Sequence, residues 1–166
     1  MIVVEGVATV SDLDDFLATL DAAAEEYGVT VQAFDARYLV GRTHLERAVE
    51  LADRAFERGE NVARERSVEI LLYAAGRRQI DDALEMGVSE GETPVAVLID
   101  GAAGDESAAA DALRDRLDLD PAPTLGSVDA ERVRAFFDVT SAELDAGAGD
   151  LSDLVCERVA LLDVEK

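Results

Sequence analysis

The segment Pro94-Val95-Ala96-Val97-Leu98-Ile99-Asp100 constrains the fold of this chain more than any other. Five apolar residues in a row, three of them β-branched, follow a turn rich in Gly, Glu and Pro and precede Gly101. That is the pattern of a buried strand. Residues 2–10, which carry valine and isoleucine, and residues 29–35, Val-Thr-Val-Gln-Ala-Phe-Asp, are the other strand candidates. The intervening stretches read as helices gathered in blocks, not alternating strictly with strands. This order predicts an α+β fold, a small mainly antiparallel sheet covered by several helices, and 166 residues read as a single domain spanning 1–166.

Start and stop signals mark the helices. Ser11 with Asp14 three residues later opens one that Gly28 closes. Thr43 and Glu46 have capping-box spacing, and Leu45, Val49, Ala52 and Phe56 recur at helical spacing until Gly59. Another helix is expected from Asn61 to Ala75 with Gly76 as its cap, then a short one from Arg77 to Met86. Helices at about 105–117, 129–137 and 150–162 follow, with Gly147-Ala148-Gly149 as a flexible joint before the last. In that last helix Leu151, Leu154, Val155, Val159 and Leu162 make a continuous apolar edge, least buried at Leu162. Cys156, the single cysteine, excludes an internal disulfide and a cysteine-based metal cluster, and reads as a small apolar residue on the inner side of this helix.

Charge is distributed unevenly. The chain has 37 acidic and 15 basic residues, a net charge of −22, and 14 of the bases are arginine. Between Arg37 and Arg78 nine arginines face seven acids, whereas the rest of the chain has 6 basic and 30 acidic residues. One face spared the acid points to an anion-binding site. The acids elsewhere are scattered, not gathered in a tail, which favours a halophilic surface over one built for a basic partner. In molar salt the Debye length is on the order of 3 Å, so an anion site there relies on stacking, base-edge hydrogen bonds and bidentate arginine contacts. Met1-Ile2-Val3-Val4-Glu5 has no basic region, and no run approaches a membrane span, so a soluble cytoplasmic protein without membrane association is expected.

The arginine-rich segment also carries specific wording. Arg37-Tyr38, Gly41-Arg42-Thr43-His44-Leu45, Ala55-Phe56-Glu57-Arg58-Gly59-Glu60-Asn61, Ser67-Val68-Glu69-Ile70-Leu71-Leu72-Tyr73 and Gly76-Arg77-Arg78-Gln79-Ile80 resemble the small regulatory subunit of the KEOPS complex, the TPRKB or PRPK-binding protein family. The match is strongest over residues 37–80. The resemblance implies a non-enzymatic subunit without a cofactor, which binds the single-stranded 3′ CCA end of tRNA and docks on a kinase-like ATPase. That assembly makes the threonylcarbamoyl modification of the adenosine beside the anticodon. The residues assigned to tRNA on this basis are Asn61, Arg64, Arg66, Ser67, Tyr73, Arg77, Arg78 and Gln79, and those assigned to the ATPase are Leu154, Val159 and Leu162.

Each assignment has a plainer reading. Arg66, Glu69, Tyr73 and Arg77 recur at spacings of three and four, which also suits a solvated face with an Arg66–Glu69 pair and a half-buried tyrosine. Arg77 and Arg78 oppose the dipole of the helix they open, and two guanidinium groups at such a turn favour an anion; alternatively Arg78 pairs with an acid. Of Tyr73, Tyr38 and Phe34, Tyr73 is the expected stacking platform. Asn61 and Ser67 suit a base edge or phosphate, or act as caps. His44 reads as a surface histidine. Gly101-Ala102-Ala103-Gly104 lacks the lysine of a P-loop and reads as a turn, and the acidic pairs read as saline surface, not magnesium sites. An enzyme or sensor for a small anionic metabolite is the alternative, with Glu69 the sole acid or base near the arginines, and a structural adaptor is a third.

Overall fold

The computed structural model describes residues 1–126, 128–147 and 149–165. The elements are β1 (Ile2–Val10), α1 (Leu13–Tyr27), β2 (Thr30–Asp35), α2 (Arg42–Arg58), α3 (Arg66–Ala75) and α4 (Ile80–Ala83). There follow β3 (Gly91–Asp100), α5 (Glu106–Arg116), β4 (Asp120–Pro121), α6 (Ala130–Phe137), α7 (Ser141–Asp145) and α8 (Leu151–Glu165). The fold is α+β. The chain divides into a sheet unit, Met1–Ala36 with Gly87–Ser127, and a helical unit, Arg37–Met86 with Val128–Lys166.

In the sheet unit the strand order is β2-β3-β1-β4, all neighbours antiparallel. Ile2 faces Ile99 and Val10 faces Gly91 across β1 and β3, while Thr30 faces Asp100 and Asp35 faces Val95 across β2 and β3. This register aligns Val95, Val97 and Ile99 with Val4, Ala8, Val31 and Ala33 on one apolar face, covered by Phe16, Leu20 and Ala23 of α1 and Ala109, Ala110 and Leu113 of α5. β3 begins earlier than its apolar run, because Gly91, Glu92 and Thr93 continue the pairing with β1. β4 has only two residues and no pattern that announces it. The cap of α1 is Asp12, whose side chain accepts from Asp15 N–H, in place of Ser11.

Residues 101–104 after β3 form a turn. Gly101 N–H donates to the Glu106 carboxylate at 2.8 Å, so its donor is occupied. A Cβ on Gly104 would lie 2.3 Å from Gly28 O, which explains the glycine as a close approach of two backbones.

In the helical unit α2 buries His44, Leu45, Ala48, Leu51, Ala52 and Ala55 against α3 and α8, and α3 is buried from Glu69 through Ala75. Several boundaries differ from expectation. α2 starts at Arg42 after Gly41 with no side-chain cap bond, so Thr43 and Glu46 lie inside the helix, where Glu46 pairs with Arg42. α3 starts at Arg66, not Asn61, and Arg77 to Met86 is one turn of α-helix over Ile80–Ala83 followed by a 3-10 turn over Leu84–Met86. Gly76, at φ 61°, ends α3 in the left-handed region, and Arg77 N–H reaches back to Leu72 O. The capping box of this unit is Thr140 with Glu143, opening α7. Of the expected joint at 147–149, Ala148 lies outside the described residues.

Candidate nucleic-acid interface

The basic residues concentrate in one unit. The helical unit carries 13 basic and 20 acidic residues, the sheet unit 2 and 17. Six of the helical unit's twelve arginines, Arg42 among them, are seen paired with acids. Arg47 and Arg54 pair with Glu50, Arg132 with Asp129, and Arg158 holds both oxygens of Glu143 at 2.9 and 2.7 Å. Arg158 thereby draws the Glu143 carboxyl below its ordinary pKa. Arg66 pairs with Asp53 at 2.7 and 3.0 Å.

Three arginines stand apart. Arg58 at the end of α2, Arg64 in the 60–65 loop and Arg78 after α3 are exposed, and none has an ion pair among the described residues. Arg64 and Arg78 flank α3, whose ten residues separate them by roughly 15 Å along the axis at 1.5 Å per residue. The residues assigned to tRNA therefore fall in two groups: Asn61, Arg64, Arg66 and Ser67 at the start of α3, and Arg77, Arg78 and Gln79 beyond its end. Arg58, close to the first group in sequence, is not among those assignments.

Tyr73 does not serve as a stacking platform. It is fully buried, its hydroxyl donates to Asp163 at 3.0 Å, and burial, reinforced by that carboxylate, raises its pKa. His44 is likewise no surface residue. Its ring is fully buried, Nδ1 accepts from Val40 N–H at 3.3 Å, and Nε2–H therefore donates to Ala74 O at 2.7 Å. Burial depresses its pKa to about 4, only partly offset by the bond to Ala74. Phe34 is fully buried too. Leu154, Val159 and Leu162, assigned to the ATPase, are all buried where α8 packs on α2, α3 and α6. The exposed apolar residues of α8 are Leu161 and Val164, the latter 80% exposed.

Beside the second group lies an open cavity of about 630 Å³, lined by Tyr38, Arg77, Asp81, Asp82, Glu85, Arg132, Ala135 and Phe136. Its aromatic floor is the edge-to-face pair Tyr38 and Phe136, 5.3 Å between centroids. Arg77 lies 4.6 Å over the Phe136 ring and donates to Phe136 O, while Arg132 lies 5.6 Å over Tyr38. Arg77 Nε and Arg132 Nε are buried without a hydrogen-bond partner among the described residues. Tyr38 donates to Glu85 at 3.0 Å, and its pKa is raised by burial against an opposing pull from Arg132. The cavity thus presents two guanidinium planes and a carboxylate wall, and Arg132 Nε lies 3.6 Å from Asp129. No three His, Cys, Asp or Glu side chains among the described residues are placed to hold a metal ion.

The family described as kinase-binding protein CGI-121 matches residues 7–163, nearly the whole chain. The chain belongs to the CGI-121 family. This is the TPRKB family of KEOPS regulatory subunits that residues 37–80 resemble, and its description gives it a kinase as partner. No curated protein matches the chain. No helix among the described residues is long and apolar enough to cross a membrane.

Proposed function

We propose that this protein is a non-catalytic subunit of the KEOPS tRNA threonylcarbamoyladenosine machinery, which binds the unpaired 3′ CCA end of tRNA and docks on the kinase-like ATPase. One observation carries the tRNA reading. In a chain with 37 acids, Arg58, Arg64 and Arg78 remain exposed without an ion pair among the described residues, and all three fall within 21 residues of sequence. An exposed arginine left unpaired in so acidic a chain suits an anion from outside.

The cavity beside Arg78 supplies what phosphate contacts lack. Guanidinium planes over Phe136 and Tyr38 offer stacking surfaces for an unpaired base, and Asp81, Asp82 and Glu85 accept from its amino group. These are short-range contacts that survive high salt. A duplex hides the base edges and faces that such a site reads, so the single-stranded end is the matched part of the tRNA. For the ATPase, Leu161 and Val164 form an exposed apolar edge three residues apart on α8 and replace the buried residues as the docking surface.

Titration with mature tRNA and with the same tRNA trimmed of its three terminal nucleotides tests the central part. Binding confined to the mature form supports the proposal. Equal affinity for both contradicts it.

A further inference from the structure

The 60–65 loop is held from outside as well as by its own residues. It is held by Glu69, a fully buried carboxylate one turn into α3. Side chains on a helix lean toward its N-terminus, and Glu69 reaches back over the first turn into the loop. Its Oε2 accepts from Val62 N–H at 3.0 Å and from Ala63 N–H at 2.8 Å, and Oε1 accepts from Val62 N–H at 3.2 Å. The loop adds a tie of its own, because Asn61 Nδ2 donates to Ala63 O at 2.9 Å. Both polar groups of Ala63 are therefore held, and the next residue is Arg64.

We propose that Glu69 is a positioning residue for nucleic-acid binding: it fixes the 61–65 backbone so that Arg64 is presented, already ordered, to the 3′ end of tRNA. This rests on the tRNA reading above and assigns Asn61 to the loop in place of the ligand. The physical case is that core packing alone does not call for a carboxylate here. A methionine would fill similar volume without the desolvation that a buried charge entails, and the carboxylate's bonds to Val62 and Ala63 give the loop its shape. An exposed loop with free N–H groups samples many forms, and ordering it at the moment of binding weakens affinity; a loop ordered beforehand avoids that loss. The negative charge near the N-terminus of α3 also suits the helix dipole.

The test is a double-mutant cycle on the whole chain, read by titration with a transcribed tRNA bearing its CCA end and by the salt dependence of affinity. Glu69→Met is expected to weaken binding about tenfold, the size of one charge-assisted contact. Arg64→Ala is expected to weaken it by a similar factor and to flatten the salt dependence, and the double variant is expected to be no weaker than Arg64→Ala alone. Glu69→Gln, whose single side-chain oxygen can take both N–H groups as Oε2 does, should restore binding to within about twofold of wild type. Asn61→Ala unties Ala63 O without touching the buried charge and should show the same coupling at smaller size, which keeps the test open even if Glu69→Met melts early. Losses that multiply instead of overlapping, or an Arg64→Ala variant that binds as wild type, overturn the role of Glu69 while the wild-type chain still binds tRNA. A wild-type chain that does not bind tRNA overturns the underlying reading, and this inference with it.

Discussion

At the scale of single residues, burial decides roles that spacing leaves open. His44 stands in the first turn of α2, where a sequence gives a solvated histidine, yet both ring nitrogens are used inside the unit, one toward Val40 and one toward Ala74. The consequence is a pH dependence with a definite sign. The unfolded chain takes a proton on His44 below about 6.5, while the folded chain, at about 4, does not, so stability falls as pH drops from about 6.5 to about 4 and His44 adds no further loss below that. The loss amounts to about 3 kcal/mol across the window. Urea unfolding at several pH values, wild type beside His44→Gln, separates this from the carboxylates: the variant should be weaker at pH 7 and show a shallower slope between pH 6.5 and 4. Equal slopes would mean the imidazole is not neutral in the fold. The aromatic positions follow the same logic. Nothing in the spacing of Tyr73 distinguishes a platform from a core residue, whereas the single carboxylate of Asp163, ninety residues away, settles its surroundings.

At the scale of elements, the periodic signals were legible and their partners were not. The apolar edge of α8 is visible in the sequence, but a stripe states only that one face is apolar, not what covers it. Leu162 lies 2% exposed inside the helical unit, so Leu162→Asp should cost about 3 kcal/mol or more and lower the melting temperature sharply. Val164→Asp on the same helix should leave the melt within a degree or two and weaken binding of the purified ATPase subunit. Calorimetric titration beside a thermal melt distinguishes them; unchanged ATPase affinity for Val164→Asp moves the docking surface off α8. Caps show the same limit. Thr43 and Glu46 have the spacing of a capping box and sit inside a helix that Gly41 begins, while Thr140 and Glu143 have the same spacing and form the real box. The Asn61–Arg64 stretch reads as helix because its composition allows it, whereas the chain forms a loop there whose Val62 and Ala63 N–H groups bond to Glu69.

At the scale of the whole molecule, the sheet was legible because β1, β2 and β3 are rich in β-branched residues, whereas the division into two units was not, since each is assembled from two separated stretches of chain. The asymmetry of charge follows that division, with 17 acids against 2 bases in the sheet unit. Self-repulsion of this size is relieved by screening, so the melting temperature should rise steadily from about 0.1 M to molar KCl, where the Debye length shrinks from about 10 to about 3 Å. A melt independent of salt would remove the case for a halophilic surface. The unpaired arginines are probed by titrating mature and CCA-trimmed tRNA with wild type and with Arg64→Ala/Arg78→Ala. Arg77 is left in place because it joins the end of α3 to Phe136. Wild type should bind mature tRNA tightly, the double variant should lose about a hundredfold with a shallower salt slope, and the two proteins should not differ on trimmed tRNA. Wild-type affinity in the double variant, or an equal loss on trimmed and mature tRNA, would contradict the assignment of these arginines to the tRNA end.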